Sequence, residues 1–169
     1  MHPAIEHLAL TPDILRLLLT GVTEEMAQSK PAPGRWSIAE VLEHLSHVEG
    51  HGFRLRLTRM LEEDTPELDP YDEKAYDALG AYSNRDAEES LAHWEEQRED
   101  NVELLRALPP TAFKREGRHM QAGVVTIENV IGQWAFHDLG HIRQITELVR
   151  SQMYLPAIGP FRMFYTGTP

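Results

Sequence analysis

Ser37-Ile38-Ala39-Glu40-Val41-Leu42-Glu43-His44-Leu45-Ser46-His47-Val48-Glu49-Gly50-His51 is the stretch on which the fold turns. Ser37 followed three residues later by Glu40 forms a capping box, in which hydroxyl and carboxylate each satisfy a backbone N–H that a helix start leaves bare. Trp36 stands in front, where an apolar side chain staples onto Val41. The helical pattern continues to about Glu62, where Asp64-Thr65-Pro66 stops it. At about 100° per residue, His47 lies about 60° and His51 about 20° to one side of His44. Val41, Val48 and Leu55 lie within about 60° on the other side. The histidine stripe therefore borders the apolar face.

Working outward, three more stretches share the helical period. The first starts at the cap-like Thr11-Pro12-Asp13 and carries Ile14, Leu15, Leu18, Leu19 and Val22. Residues 4–10 offer a backward extension of it, kinked at Pro12. Residues 29–35 are too rich in proline and glycine for a helix interior. Residues 64–85 form a long connection rich in Asp, Pro, Gly and Tyr, which predicts a crossover and a candidate cover for a site. A third helix spans about 86–107, through Leu91, Trp94, Val102 and Leu105, and Pro109-Pro110 closes it. Its Glu- and Arg-dense face reads as solvated surface. Residues 111–125 read as irregular, with Val124-Val125 as a short extended piece. Thr126 caps the fourth helix, which runs to about Arg150. The tail, 151–169, is expected to lie across the bundle. The reading is an all-α, four-helix bundle forming one domain over 1–169, with its core in 11–150.

Composition narrows the function. With 169 residues and 41% hydrophobic content, the chain is long enough for one core without staples. It has no cysteine, so any metal is held by His, Asp or Glu. A net charge of -11 and no basic run disfavour nucleic acid and anionic membrane as partners. The N-terminal stretch is interrupted by Glu6, Pro12, Asp13 and Arg16, and no segment offers the roughly 20 apolar residues of a membrane span. The expected location is the cytoplasm.

Five of the nine histidines fall on the second and fourth helices. His137 and His141 are one turn apart on one face, a spacing from which two imidazoles converge on one ion. The Glu of the helical zinc-protease motif is absent, since Asp138-Leu139-Gly140 intervenes. His44, nearest the apolar side of its helix, is the expected third ligand, and three histidines leave a position open. Without a shared partner, several buried imidazoles are costly to desolvate. A di-iron carboxylate centre is disfavoured, because the lone Glu-x-x-His, Glu116 to His119, falls in a stretch that reads as a loop. A bis-histidine haem would leave one ligand over. His2, His7 and His93 read as surface residues; His119 is a candidate neighbour of the site.

Two runs resemble a known family. Pro31-Ala32-Pro33-Gly34-Arg35-Trp36-Ser37-Ile38-Ala39-Glu40-Val41-Leu42-Glu43-His44-Leu45 is similar to the Trp-Ser segment that leads into the first ligand histidine of the DinB/YfiT-like superfamily. Gly123-Val124-Val125-Thr126-Ile127-Glu128, leading into His137-Asp138-Leu139-Gly140-His141-Ile142-Arg143-Gln144-Ile145, resembles its paired histidines with a following Gln. The resemblance covers residues 11–150. It implies an up-down-down-up bundle with one long crossover, a divalent ion (zinc or nickel) at His44, His137 and His141, and a homodimer. It also implies metal-dependent hydrolase or thiol S-transferase chemistry, the latter with a low-molecular-weight thiol such as bacillithiol. His47 and His51 are extra to that pattern and are candidate general bases. Gln144 or Asp138 would orient the ligands. Two functions of different class follow. One is an enzyme that activates water or an exogenous thiol toward a small-molecule substrate. The other is a non-enzymatic, stress-associated metal-binding bundle that meets a protein partner.

Overall fold

The structure, a computed structural model, describes residues 2–165. Helix α1 (Pro3–Leu18) starts well before Thr11, because the His2 ring accepts from the Ala4 amide at 3.3 Å and caps it there. Thr11 is therefore no cap; it is buried and its hydroxyl donates to the His7 carbonyl. Pro12 sits inside the helix and cannot donate to the Leu8 carbonyl, but Arg98 Nη1 donates to that oxygen at 3.1 Å. A short helix α2 (Glu24–Gln28), capped by Thr23, follows.

The capping box forms as read: Ser37 and Glu40 exchange both hydrogen bonds at the start of α3 (Ile38–Val48). The helix then widens into one π turn, Glu49–Arg54, before resuming as α4 (Leu55–Glu62). A π turn adds a residue and rotates everything after it. Leu55, expected beside the apolar stripe, is consequently exposed at 52%, while Arg56 and Leu57 are buried. His51, inside the turn, is exposed as well.

The crossover contains strand β1 (Glu67–Leu68) and helix α5 (Glu73–Ala78). Helix α6 (Ala87–Ala107) is capped by Asp86. Strands β2 (Glu116–His119) and β3 (Gly123–Thr126) pair antiparallel, and β1 joins β2 in parallel. The irregular segment is thus a hairpin that ties the crossover down. Helix α7 (Ile127–Val149) starts from a Thr126–Asn129 capping box. A second π turn at Arg150–Tyr154, a short α8 (Leu155–Ala157) and a 3-10 segment (Gly159–Tyr165) follow. The tail starts against the bundle, where Met153 packs beside buried apolar residues and Gln152 Nε2 donates to the Ser29 carbonyl at 3.2 Å, whereas Phe161, Met163 and Phe164 further on are exposed; residues 166–169 lie outside the described residues.

The core has two halves, and their membership fixes the helix directions. One joins Ile5 and Leu8, Leu57 and Met60, Val102 and Leu105, and Val130 and Trp134. The other joins Leu15, Ile38 and Leu42, Leu91 and Trp94, and Ile145 and Leu148. The first half thus takes the start of α1, the end of α3–α4, the end of α6 and the start of α7. The order is up-down-down-up. Parallel neighbours α3–α4 and α6 require a connection that travels the bundle's length, which accounts for the long crossover. Among the described residues no helix is long and apolar enough to cross a membrane.

Candidate metal centre

Between the two apolar halves the bundle is polar. His44 comes from the middle of α3, with His137 and His141 one turn apart on α7. Their Nε2 atoms face one another, at 3.1 Å for His44 to His137 and 3.1 Å for His141 to His137. Two nitrogens each about 2.05 Å from a tetrahedral ion would stand about 3.3 Å apart. The spacing is that of ligands around one cation.

Protonation supports the same fit. Burial drives His44 down to about 2 and His137 to about 3, with the neighbouring imidazoles and, for His137, the Arg98 charge adding to it. His141 is also lowered by burial, opposed by its bond to Gln144. All three are neutral at pH 7. An Nε2 atom presents one lone pair or one N–H, so His137 can complete only one of its two contacts as a hydrogen bond. The Nδ1 atoms of His44 and His137 are buried with no hydrogen-bond partner. A cation at the meeting point would relieve the facing lone pairs. Among the described residues no other group of three His, Asp or Glu side chains converges this way.

The surroundings hold the rings in place. Gln144 Oε1 accepts from His141 Nδ1 at 2.9 Å, leaving the Nε2 lone pair for a ligand. Phe53 packs edge-on to His137, with ring centroids 5.4 Å apart. Asp138 turns away from the rings to Arg98, at 2.6 Å, so of the two orienting candidates only Gln144 touches a ligand ring. Arg98, 1% exposed, also binds Glu49 through paired contacts of 2.8 Å, and Trp134 Nε1 donates to Glu49 at 3.0 Å. Burial would lower the Arg98 pKa, but Glu49 and Asp138 outweigh it and keep the guanidinium charged. The Glu- and Arg-dense face of α6 is exposed as read, but Arg98 is not on that face. It lies four residues from both Trp94 and Val102, on the apolar stripe, which is the signal that marks it.

The crossover, together with Trp36 ahead of α3, supplies a wall over the rings. Trp36 and Tyr82 lie 4.9 and 5.1 Å from the His44 ring, and Tyr71 lies 6.1 Å from it. Tyr71 and Tyr82 join hydroxyls at 2.9 Å, and His47 Nδ1 meets Tyr71 at 2.7 Å. Burial pushes Tyr82 up to about 12 and Tyr71 higher still, so both stay protonated. His47 is half-buried and lowered by burial and by His51, on whose ring it stacks at 4.3 Å. Glu73, in a segment with no periodicity to mark it, places Oε2 4.0 Å from His44 Nε2. His119 instead organises the β2–β3 turn, accepting from the Gln121 and Ala122 amides. His93 is exposed and bonds Ser46 at 2.9 Å.

Fold and site together define a helical-bundle protein with a three-histidine centre suited to a divalent metal. The profile of the DinB superfamily matches residues 7–145, and the chain belongs to that superfamily. It is 34% identical over 150 residues, 86% of this chain and 82% of the relative, to the Bacillus subtilis protein named "Putative metal-dependent hydrolase YfiT". A relative of the same functional name from Oceanobacillus iheyensis is 31% identical over 141 residues, 82% of this chain and 80% of that one. The solved structure of YfiT superposes with a TM-score of 0.78 at 31% identity, over 88% of this chain and 85% of that one. It is described as "a probable metal-dependent hydrolase with an unusual four-helix bundle topology". A DinB-like protein of B. subtilis, 16% identical with a TM-score of 0.55 over 88% of this chain and 91% of that one, shares the fold.

Proposed function

We propose that the protein is a metal-dependent hydrolase in which His44, His137 and His141 hold one divalent ion, zinc or nickel, with a position open to a small-molecule substrate. One observation carries this reading: three neutral imidazoles meet at a point where, among the described residues, no fourth protein ligand joins them. The names of the relatives support it. An ion held by neutral ligands keeps its full charge, and so lowers the pKa of water or polarises a carbonyl.

The chain's own residues do the rest. Trp36, Tyr71 and Tyr82 shield the centre from water on the crossover side. His47, neutral and fixed by Tyr71, receives the proton released in the reaction, and exposed His51, stacked on it, passes it to solvent. Gln144 holds His141 in its ligating tautomer. The absence of cysteine favours a second reading, S-transfer, in which an exogenous thiol such as bacillithiol supplies the sulfur. The protein acts in the cytoplasm as a homodimer, a pairing supported by the exposed Leu17, Phe136 and Leu139 on neighbouring α1 and α7. A non-enzymatic metal-binding bundle is the competing class.

Cobalt-substituted protein separates these readings. Hydrolysis of ester and amide panels that is abolished by chelation and restored by metal is the expected result. A cobalt spectrum shifted by bacillithiol, with thiol-dependent turnover, would select S-transfer. A cobalt spectrum unmoved by any small ligand would reject both enzyme readings in favour of a binding protein.

A further inference from the structure

We propose that Glu73 determines which ligands the open position accepts, admitting neutral ones that bring a hydrogen to donate and turning away bare anions. This rests on the open three-histidine centre proposed above. Glu73 Oε2 stands 4.0 Å from His44 Nε2, and among the described residues no other carboxylate comes that near the three rings. It does not join the cluster of mutually close ligand atoms, so it stands beside the coordination positions and not in one of them. From there it faces whatever occupies the open position.

The helix that carries Glu73 is anchored beside the centre. Asp72 caps α5 by accepting from the Ala75 amide at 3.0 Å, and Trp36 Nε1 donates to Asp77 at 3.1 Å. Tyr76 packs on the His47 ring at 4.5 Å and on Tyr71 at 5.1 Å. The neighbouring hydroxyls of Tyr71 and Tyr82 are bonded to each other and to His47, which leaves Glu73 as the charged acceptor facing the position. A fixed negative charge repels an incoming anion, whereas a carboxylate accepts strongly from O–H, N–H or S–H. The substrate class that follows is a neutral, hydrogen-bearing nucleophile or ligand: water, an alcohol, a hydroxamic acid or a thiol still carrying its proton. Glu73 is 52% exposed, so solvent screens it and the discrimination is moderate.

The test uses full-length, cobalt-loaded protein and two spectroscopic probes, azide (an anion with no hydrogen) and acetohydroxamic acid (neutral and protic). In Glu73→Gln, azide should bind about tenfold more tightly and acetohydroxamic acid about fivefold more weakly, with metal content unchanged. Glu62→Gln removes the same charge from an exposed site at the end of α4 and should move neither affinity. Two affinities that shift together, or not at all, in Glu73→Gln overturn the proposal. Loss of metal from Glu73→Gln also overturns it, by making the residue a ligand. Failure of wild type to bind either probe removes the open position, and with it the underlying reading as well.

Discussion

Two polar clusters share the middle of this bundle, within one residue of each other at His137 and Asp138, and they are completed differently. Around Arg98, donors and acceptors match: Glu49, Asp138, the Leu8 carbonyl and Trp134 close a network in which no member is more than 2% exposed. Around His44, His137 and His141 donors and acceptors do not match, because three neutral imidazoles turn their Nε2 atoms toward one another and the Nδ1 atoms of His44 and His137 have no hydrogen-bond partner among the described residues. A buried polar group left without a partner costs free energy. The first cluster is therefore complete within the protein. The second is built to be completed by a ligand. The Arg98 charge also connects them, since it helps hold His137 neutral and ready to bind.

Breaking the closed cluster should have the largest effect on stability. Arg98→Ala leaves Glu49 and Asp138 buried without a cation, and urea unfolding should show a loss of about 3–5 kcal/mol. A loss under about 1 kcal/mol would mean that the network contributes little. The open cluster should respond to pH in metal-free protein. Histidines in the unfolded chain take up protons near pH 6.5, whereas in the fold His44 and His137 do so only at about 2 and about 3. Stability is thus full above about pH 6.5 and declines as pH falls toward the folded values, by about 2 kcal/mol between pH 6.5 and 5.5. Saturating zinc should steepen this dependence, because protons then compete with the ion. A flat profile in metal-free protein would show that the rings are not buried neutral. The smallest effect is expected at the edge of the open cluster. Gln144→Ala frees the His141 ring and should weaken zinc about tenfold in a competition titration, with urea stability of the metal-free protein nearly unchanged.

The same contrast explains what the sequence could reveal. Ser37–Glu40 and Thr126 mark two helix starts with local chemistry, and the one-turn spacing of His137 and His141 survives because α7 is regular there. His44 precedes the π turn and keeps its expected face; Leu55 and His51 do not, because one added residue re-phases the helix without changing the apparent period. Thr11-Pro12-Asp13 reads locally as a cap, and only the distant Arg98 explains how a proline sits inside α1. Glu73 and the tyrosines belong to a connection whose path is set by packing and by the β1–β2 pairing, neither of which leaves a periodic trace.

The central claim is that imidazoles from two separate helices share one cation. Elemental analysis of purified wild type, His44→Ala and His137→Ala after equilibration with zinc tests it directly. Close to one ion per chain is expected in wild type and near-complete loss in both variants, each still folded by circular dichroism. Full retention of the ion by either variant would contradict it.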